Sequence, residues 1–306
     1  MKKILITGAS GFIGKNIIKY LQSKNLNTLS FSRSYGMNYE KIDLNYLNDQ
    51  GVETILHLAG KAHDLKDVSS EKEYFEANFL LTIKIFDAFL ESNAKTFIFF
   101  SSVKAVKDHY QDILIEDTYP TPFTAYGKSK SNAENYLLSK IIDIEKRIII
   151  LRPSMVHGPG NKGNLNLLYN LVSKNVPWPL GAFKNKRSFC SIDNLCFIVY
   201  ELIIRRKIKS GIYNISDDDP VSTNRLIELI GISMYKKPAI LKINKNIIKF
   251  LANLGDMIKL PLNSERLTKL TESYIVSNLK IKEAIDNNLP VTSEEGLLKT
   301  FHSFSE

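Results

Sequence analysis

Cysteine and tryptophan are scarce in this chain, whose 306 residues include two cysteines and one tryptophan. Cys190 and Cys196 have no other cysteine to pair with, so we expect reduced, buried thiols in a reducing compartment. The histidines and cysteines lack the spacing of metal ligands, and we expect no metal. These shortages argue against a disulfide-stabilised secreted module and against a zinc finger.

Long apolar runs are absent as well. No segment approaches about 18 uninterrupted apolar residues, so we expect no membrane span. The opening residues, MKKILITGAS, contain only a short apolar run before a glycine turn, whereas a signal peptide needs a longer run and a cleavage site. We therefore expect a cytoplasmic protein.

Basic residues outnumber acidic ones, 41 to 32, and the net charge is +9. Such an excess is compatible with nucleic acid, an anionic membrane face or a phosphorylated small substrate. The basic residues form short, scattered clusters, of which Arg205, Arg206, Lys207 and Lys209 are one example. No arginine-rich block is present, so we expect no nucleic-acid partner.

Apolar residues make up 44% of the chain, enough for a sizeable core. Strand-like runs alternate with helix-like segments, and the runs TFIFF and RIIIL lack the alternation of strands with one exposed face. This order predicts right-handed βαβ units and an α/β fold with a doubly wound parallel sheet. The predicted strands are 3–7, 27–31, 54–58, 95–100, 147–152 and 211–216, and the predicted helices include 12–24, 71–92 and 125–142.

The pattern of alternating strand-like and helix-like segments changes after residue 158. A glycine-rich loop, HGPGNKGN, and a turn-rich stretch, VPWPLG, follow, and the last ninety or so residues are helical and lysine-rich in pattern. We predict a nucleotide-binding domain of residues 1–158 and about 189–216. Residues of about 159–188 and 217–306 are predicted to form a smaller, mainly helical substrate-binding cap.

Three glycines follow the first predicted strand and open the first predicted helix. Gly8, Gly11 and Gly14 lie in TGASGFIG, where glycine permits a tight turn and close backbone approach. The helix N-terminus offers free N–H groups to a pyrophosphate. The position and spacing predict a Rossmann-like dinucleotide site; the alternative is a plain glycine-rich strand–helix turn.

A tyrosine and a lysine four residues apart, Tyr126 and Lys130, share one helix face. That face continues through Ala133 and Leu137, so it is the core-facing stripe, and a lysine there needs a partner inside the protein. A strand ends upstream in Ser101 and Ser102, at the edge where parallel sheets bind ligands. The alternative is a buried tyrosine beside a surface lysine, because the same spacing recurs at positions 20 and 24 and at 136 and 140.

These motifs together resemble the extended short-chain dehydrogenase/reductase family, which contains the sugar-nucleotide epimerases, dehydratases and reductases. TGASGFIG is similar to the family fingerprint, HLAGKAH to its HLAA segment, and SS…YGKSK to its catalytic set. The resemblance implies Ser102, Tyr126 and Lys130 as catalytic residues. We expect the Lys130 cation and the oxidised nicotinamide to lower the pKa of Tyr126 from its ordinary value near ~10. Ser102 would bind the substrate oxygen.

The resemblance also implies a set of cofactor-binding residues. The end of the second strand carries Arg33 where an acid would hold the ribose hydroxyls of NAD, and a guanidinium would attract a 2′-phosphate. We therefore favour NADP(H), with NAD(H) as the other choice. The alternative for Arg33 is that its side chain simply points into water. The full set is Gly8, Gly11, Phe12, Ile13, Gly14, Arg33, Asp43, Leu44, Leu58, Ala59, Gly60, Asn78, Tyr126, Lys130 and Pro153, with Asp43 near the adenine.

The residues after Ser102 bear on the reaction. Relatives that are dehydratases carry an acidic pair there, whereas this chain has Val103 and Lys104, so dehydration is not expected. SSVKAV, LRPSMVHGPGNKGN and PWPLGAFKNKRSF resemble a narrower branch that reduces 4-keto-6-deoxy amino-sugar nucleotides for capsule or O-antigen polysaccharide. We predict NADPH-dependent reduction of the carbon-4 ketone of a UDP-4-keto-6-deoxy-N-acetylhexosamine. The alternatives are an NAD-dependent UDP-hexose or UDP-N-acetylhexosamine 4-epimerase, and a non-catalytic nucleotide-binding member.

The same resemblance supplies the expected substrate contacts, which are Lys104, Asn164 and Arg187. Arg187 in NKRSF would bind the substrate diphosphate, since a guanidinium suits a pair of phosphate oxygens. The alternative is a surface cluster of Lys184, Lys186 and Arg187. A homodimer through the helices near 71–92 and 125–142 is the family expectation.

Overall fold

The computed structural model describes residues 3–61, 70–161, 163–258 and 263–305. The strands within these ranges are β1 Lys3–Thr7, β2 Thr28–Phe31, β3 Val52–His57, β4 Thr96–Phe100, β5 Ile113–Leu114, β6 Arg147–Pro153, β7 Met155–His157, β8 Phe189–Ser191, β9 Gly211–Ile215 and β10 Ile275–Val276. The α-helices are α1 Phe12–Ser23, α2 Leu44–Asp49, α3 Glu71–Tyr74, α4 Leu81–Glu91, α5 Ala125–Ser139, α6 Asn164–Ser173, α7 Ile192–Ile204, α8 Thr223–Ser233, α9 Lys245–Ile258, α10 Ser264–Thr271, α11 Leu279–Ile285 and α12 Ser293–His302.

Six strands form the central sheet, in the order β2-β1-β3-β4-β6-β9, and every pair is parallel. The predicted α/β fold with a Rossmann-like parallel sheet is therefore confirmed, and each predicted strand lies within two residues of an observed one. The chain runs from β1 outward to β2 and then returns to the other side of β1 as β3. This reversal opens a crevice at the carboxyl ends of β1 and β3, where ligands bind in open α/β sheets.

Helices cover both faces of the sheet, which explains why its strands are apolar on both sides. On one face Ile17 and Leu21 of α1 and Leu195 of α7 pack against the strands. On the other face Phe86 of α4 and Leu137 of α5 do so. A third apolar cluster lies among residues 155–304 and includes Trp178. No helix in the described ranges is long and apolar enough to cross a membrane.

The predicted helix 71–92 contains a feature that its sequence does not signal. Between α3 and α4 the helix widens into a π-helical turn, Phe75–Leu80, which buries Asn78 completely. A π turn inserts one residue into the helical repeat, and such turns often occur at functional sites. Here it turns Asn78 toward the sheet edge.

The helix predicted at 125–142 ends earlier, at Ser139, because Lys140 adopts extended backbone angles. The following loop exposes Ile141 and Ile144, which lie at 99% and 100% exposure. Ile142 of the same loop instead packs against the apolar cluster that contains Leu137, so the extended chain, and not a longer helix, supplies the next apolar contact.

Two adjacent basic residues bind helix C-termini at the amino-terminal edge of the sheet. The Lys146 ammonium donates to the carbonyl oxygens of Phe89 and Ser92, at 2.9 and 2.6 Å, at the end of α4. The Arg147 guanidinium donates to the carbonyls of Leu202 and Arg205, at the end of α7. A cation here satisfies free carbonyl groups and offsets the negative end of each helix dipole.

Candidate active site

The glycine turn between β1 and α1 is built so tightly that side chains do not fit. Gly8 has a φ of +68°, and a Cβ there would lie 2.8 Å from the Ala59 nitrogen. A Cβ on Gly14 would lie 2.5 Å from the Gly8 carbonyl oxygen. Gly11 precedes the first residue of α1, and no side chain caps this helix start. Its free N–H groups fit a diphosphate.

A cleft of about 1070 Å³ opens above this turn, at the crevice between β1 and β3. Six of the predicted cofactor residues line it, namely Gly8, Gly11, Arg33, Leu58, Ala59 and Gly60. Phe12 and Ile13 begin α1 and pack against the apolar cluster on one face of the sheet. Gly14, the next residue, is buried. Pro153 is buried at the carboxyl end of β6. The glycine turn and the HLAG segment therefore come together as predicted.

Hydroxyl groups surround the end of the cleft next to Arg33. The Ser32 Oγ lies 2.7 Å from the Ser10 Oγ and 2.9 Å from the Ser34 Oγ. Arg33 is exposed on the same turn. Three acids also line the cleft, namely Glu40, Glu73 and Glu76. Glu40 forms an ion pair with Lys84, and Glu73 forms one with Lys61, and both lysines line the cleft as well.

Asp43 and Leu44 lie at the start of α2, away from the residues that line the cleft. The Asp43 carboxylate accepts a hydrogen bond from the Tyr46 N–H at 2.8 Å and thereby caps the helix. An aspartate before a helix is typical of this capping arrangement, so the local pattern could have indicated it. A contact of Asp43 and Leu44 with the cofactor stays a prediction.

A chain of hydrogen bonds fixes the loop after β3, and His57 stands at its centre. The Ala59 N–H donates to the Thr7 hydroxyl, which lies 2.8 Å from His57 Nδ1. The Thr82 hydroxyl donates to the Asn78 carbonyl, so it can only accept from His57 Nε2, 3.0 Å away. Burial and the Lys130 cation lower the pKa of His57 to about 3, which keeps the ring neutral. His57 is thus a structural link between β3 and the π turn.

Asn78 binds the backbone just after the HLAG segment. Its amide oxygen accepts from the Lys61 N–H at 2.7 Å, and its amide nitrogen donates to the Lys61 carbonyl and the Ser129 hydroxyl. A Cβ on Gly60 would lie 2.5 Å from this amide oxygen and 3.4 Å from the Lys130 ammonium. Because Gly60 has no side chain, the Asn78 amide of the π turn and the Lys130 ammonium of α5 can both lie close to this wall of the cleft.

Tyr126 and Ser102 are hydrogen-bonded through their side chains. The ring of Tyr74 packs edge-on against Tyr126, with the ring centres 6.0 Å apart. Thr124 caps α5 by accepting from the Gly127 N–H at 3.1 Å, which sets the helix start that carries Tyr126. The predicted pair of strand-end serine and helix tyrosine is therefore brought into contact.

Lys130 is buried, on the same stripe as Ala133 and Leu137, which are also fully buried. Its ammonium donates to the Phe100 carbonyl oxygen at 2.8 Å. Burial lowers the pKa of Lys130 to about 8, against the opposing attraction of Glu134. The prediction that this lysine points into the protein is confirmed by its burial.

The pKa of Tyr126 shifts in the direction opposite to our expectation. Burial raises it above its ordinary value, the hydrogen bond from Ser102 opposes that rise, and Tyr74 adds to it. With the protein groups alone, desolvation of the phenolate is the dominant cause. A lowered pKa of Tyr126 would therefore need further positive charge beside the phenol.

A buried ion pair lies one turn beyond Lys130, and the sequence reading missed it. The guanidinium of Arg152 on β6 donates to both carboxylate oxygens of Glu134, at 2.6 to 3.2 Å, and both side chains are 2% exposed. The Ser101 hydroxyl donates to the same carboxylate. The pair lies 18 residues apart in sequence, so no local pattern marks it.

Two of the predicted substrate residues converge on Tyr274. The Lys104 ammonium lies 4.8 Å from the centre of the Tyr274 ring, and the backbone of Arg187 bridges that of Tyr274. Burial lowers the pKa of both basic groups, and the nearby carboxylate of Glu272 opposes the shift in each. Asn164 begins α6, and its side chain lies outside the described part of the structure.

Among the described residues, no three histidine, cysteine, aspartate or glutamate side chains converge in a way that could hold a metal ion. Cys190 and Cys196 are buried and unbonded to each other. Burial raises the pKa of Cys196 to about 12, so neither its exposure nor its charge state suits a reactive thiol.

Comparison with known proteins gives a family and several relatives. A family model described as NAD dependent epimerase/dehydratase family matches residues 4–216. A UDP-glucose 4-epimerase of Vibrio cholerae is 30% identical, over 99% of this chain and 95% of that protein. A dTDP-4-dehydro-6-deoxyglucose reductase of Escherichia coli is 26% identical, over 78% and 83%. The structure of a Thermus thermophilus UDP-glucose 4-epimerase in complex with NAD superposes with a TM-score of 0.74 at 19% identity, covering 99% of each chain.

Proposed function

Because this chain belongs to the NAD-dependent epimerase/dehydratase family, we propose that it reduces the carbon-4 ketone of a UDP-4-keto-6-deoxy-N-acetylhexosamine with NADPH. The product would enter capsule or O-antigen polysaccharide synthesis. The observation that carries the choice of NADPH is the group formed by Arg33 with Ser10, Ser32 and Ser34 at one end of the cleft. A guanidinium and three hydroxyls suit a 2′-phosphate, the group that distinguishes NADPH from NADH.

The residues of the cleft fit a dinucleotide. The uncapped start of α1 and the space left by Gly8 and Gly14 accommodate the diphosphate, and Arg33 the adenosine end. When bound, the reduced nicotinamide would supply a hydride. Glu40 also lines this end, but Lys84 pairs with its carboxylate, so it is less available to ribose hydroxyls.

The catalytic groups proposed for the sugar are Ser102, Tyr126 and Lys130. Ser102 would donate a hydrogen bond to the ketone oxygen, and Tyr126 would give its phenolic proton to the forming alkoxide. The raised pKa of Tyr126 keeps the phenol protonated, which suits this role as an acid. Lys130, held by the Phe100 carbonyl, would stabilise the phenolate that remains.

Val103 and Lys104 follow Ser102, and this supports reduction over dehydration. Val103 is 5% exposed and apolar, and the Lys104 ammonium donates to the Asp108 carbonyl. Neither group can remove and return protons as a carboxylate pair does. Lys104 and Arg187 would bind the UDP diphosphate, since both are basic and lie beside Tyr274; Asn164 would join them.

A UDP-hexose or UDP-N-acetylhexosamine 4-epimerase is the second candidate. The Vibrio cholerae relative, which aligns over nearly the full chain, favours it. Such an enzyme oxidises and re-reduces the same carbon and retains NAD, so it consumes no external cofactor. A non-catalytic nucleotide-binding role is the third, and the intact Ser102, Tyr126 and Lys130 count against it.

One experiment separates these functions. Purified protein is incubated with NADPH and a panel of UDP-4-keto sugars, and separately with UDP-hexoses and UDP-N-acetylhexosamines without cofactor. Stoichiometric NADPH consumption with a single carbon-4 epimer, identified by NMR, supports the reductase. Interconversion of UDP-sugars by protein that carries tightly retained NAD would contradict the reductase and support the epimerase. Binding without turnover would indicate the non-catalytic role.

The proposal includes the organisation of the protein. Residues 1–158 and about 189–216 would form the Rossmann domain, and about 159–188 and 217–306 the cap. A cytoplasmic homodimer would pair through the helices near 71–92 and 125–142, where Phe75, Leu80 and Leu138 are exposed apolar side chains. Sedimentation velocity of a Leu138→Glu variant tests the dimer, because a charge in that contact would leave monomers.

A further inference from the structure

A basic groove lies at the amino-terminal edge of the sheet, opposite the cleft. It encloses about 440 Å³ and carries six basic side chains and one acidic one, Glu145. The basic residues are Lys95, Lys146, Arg147, Arg206, Lys207 and Lys209. The proposed catalysis uses none of them.

This groove carries more positive charge than the fold requires. Lys146 and Arg147 neutralise the C-terminal ends of α4 and α7, as described above. The other four basic side chains lie around them, and Lys207 and Lys209 are exposed. Lys95 and Arg206 pair with Glu145 and Glu53 yet remain 41% and 58% exposed. The edge therefore presents cations to solvent where the helix ends alone would present negative charge.

Two isoleucines stand beside these cations with no apolar cover. Ile144 lines the groove and is 100% exposed, and Ile141 of the same loop is 99% exposed. Single exposed apolar residues are common on protein surfaces. Ile144 itself lies between Asp143 and Glu145, but the six basic residues of the groove outnumber these two acids. Two nearly fully exposed isoleucines beside such a net basic surface match the composition of surfaces that insert apolar side chains between anionic lipid headgroups.

We propose that this basic groove and the loop with Ile141 and Ile144 form a docking surface for an anionic phospholipid bilayer. The charges attract the acidic headgroups, and the isoleucines enter the boundary with the acyl chains. A second copy of the chain fits less well, because a two-fold contact would press two basic patches together. Docking at this edge leaves the cleft, at the opposite edge of the sheet, facing away from the lipid.

The test is co-sedimentation of the full chain with vesicles of phosphatidylcholine, with and without phosphatidylglycerol. We expect binding only to the vesicles with phosphatidylglycerol, and weaker binding as salt rises. Lys207→Ala/Lys209→Ala should weaken it by at least about tenfold, since one basic side chain near an anionic surface strengthens binding about fivefold. Ile141→Ser/Ile144→Ser should also weaken it by at least about tenfold, because the apolar area that enters the lipid is lost.

Matched variants in the cap, on and just before α9, serve as controls for location. Lys242→Ala/Lys249→Ala removes the same charge, and Ile247→Ser/Met257→Ser alters exposed apolar residues; both should bind vesicles like the wild type. Equal loss in these cap variants, or no binding to phosphatidylglycerol at low salt, would overturn the proposal. The proposal would also be overturned if the wild type bound no vesicles and formed a dimer that Ile141→Ser/Ile144→Ser converts to monomers. NADPH turnover in solution should be the same in all these variants, which separates this result from the proposed function.

Discussion

The ammonium of Lys130 donates a hydrogen bond to the carbonyl oxygen of Phe100, 2.8 Å away, and so ties α5 to the end of β4. Phe100 is followed directly by Ser101 and Ser102. Through this bond the helix that carries Tyr126 is held in register with the strand end that carries Ser102. The catalytic hypothesis thus has a structural part, the alignment of two elements, and an electrostatic part, the charge of Lys130.

Replacing Tyr126 by Phe should lower kcat by about 10²- to 10⁴-fold, because the variant has no phenolic proton for the alkoxide. NADPH affinity, measured by fluorescence titration, should be unchanged. Tyr136→Phe is the matched control, because Tyr136 lies on the same helix, four residues before Lys140, and donates to Asp87. Full turnover by the Tyr126→Phe variant would show that the acid is another group.

Lys130 should make folding stability depend on pH in a specific window. Its pKa is about 8 in the folded protein and near 10.5 when the chain is unfolded. Between these values the unfolded chain holds a proton that the folded protein has lost, so the free energy of unfolding rises with pH. The cost of burying the charge is fully present below about pH 8 and is gone above about 10.5.

The measurement is urea unfolding of wild type and Lys130→Met at several pH values. Across this window, the wild type should gain on the order of 3 kcal/mol relative to the variant. Parallel curves for the two proteins would show that Lys130 keeps an ordinary pKa in the folded state.

Replacing Arg33 by Ala should raise the KM for NADPH about tenfold while leaving that for NADH nearly unchanged, since a charged hydrogen bond to the 2′-phosphate is lost. Steady-state kinetics with both cofactors measure the ratio. Lys15→Ala, an exposed residue of α1 outside the cleft, is the control for a general loss of positive charge. Equal changes for the two cofactors would remove the basis for NADPH preference.

Replacing Gly14 by Ala should weaken NADPH binding by at least about tenfold, because its Cβ would collide with the Gly8 carbonyl and open the glycine turn. Gly163→Ala is the control, since the nearest atom to its Cβ lies 3.8 Å away. Titration by cofactor fluorescence, with circular dichroism to verify folding, distinguishes the two. Unchanged affinity in the Gly14→Ala variant would mean that the turn does not hold the cofactor.

Replacing Glu134 by Gln should destabilise the protein by about 3–5 kcal/mol, because the buried Arg152 loses its counter-ion. Urea unfolding measures the loss, and Glu145→Gln, an exposed ion-pair partner, should change stability by less than about 1 kcal/mol. A Glu134→Leu/Arg152→Leu double variant should recover much of the stability. A small effect of the single change would indicate that water reaches the pair.

Local pattern was sufficient for the features whose causes are local. The apolar runs predicted every strand of the central sheet, and the period of α5 predicted the burial of Lys130 with Ala133 and Leu137. The early end of α5 and the π turn were missed, because both depend on what packs beside the helix. The capping of α2 by Asp43 is a further local feature, since an aspartate directly before a helix is typical of this hydrogen bond.

The order of strand and helix residues, the glycines at the first turn and the position of the Tyr126–Lys130 pair follow from the sequence alone, because backbone sterics and side-chain period act between near neighbours. Only the tertiary structure decided that Arg152 would meet Glu134, that His57 would link Thr7 to Thr82, and that burial would raise the pKa of Tyr126. Those outcomes depend on groups distant in sequence and on the exclusion of water, which exist only once the sheet and its helices have packed.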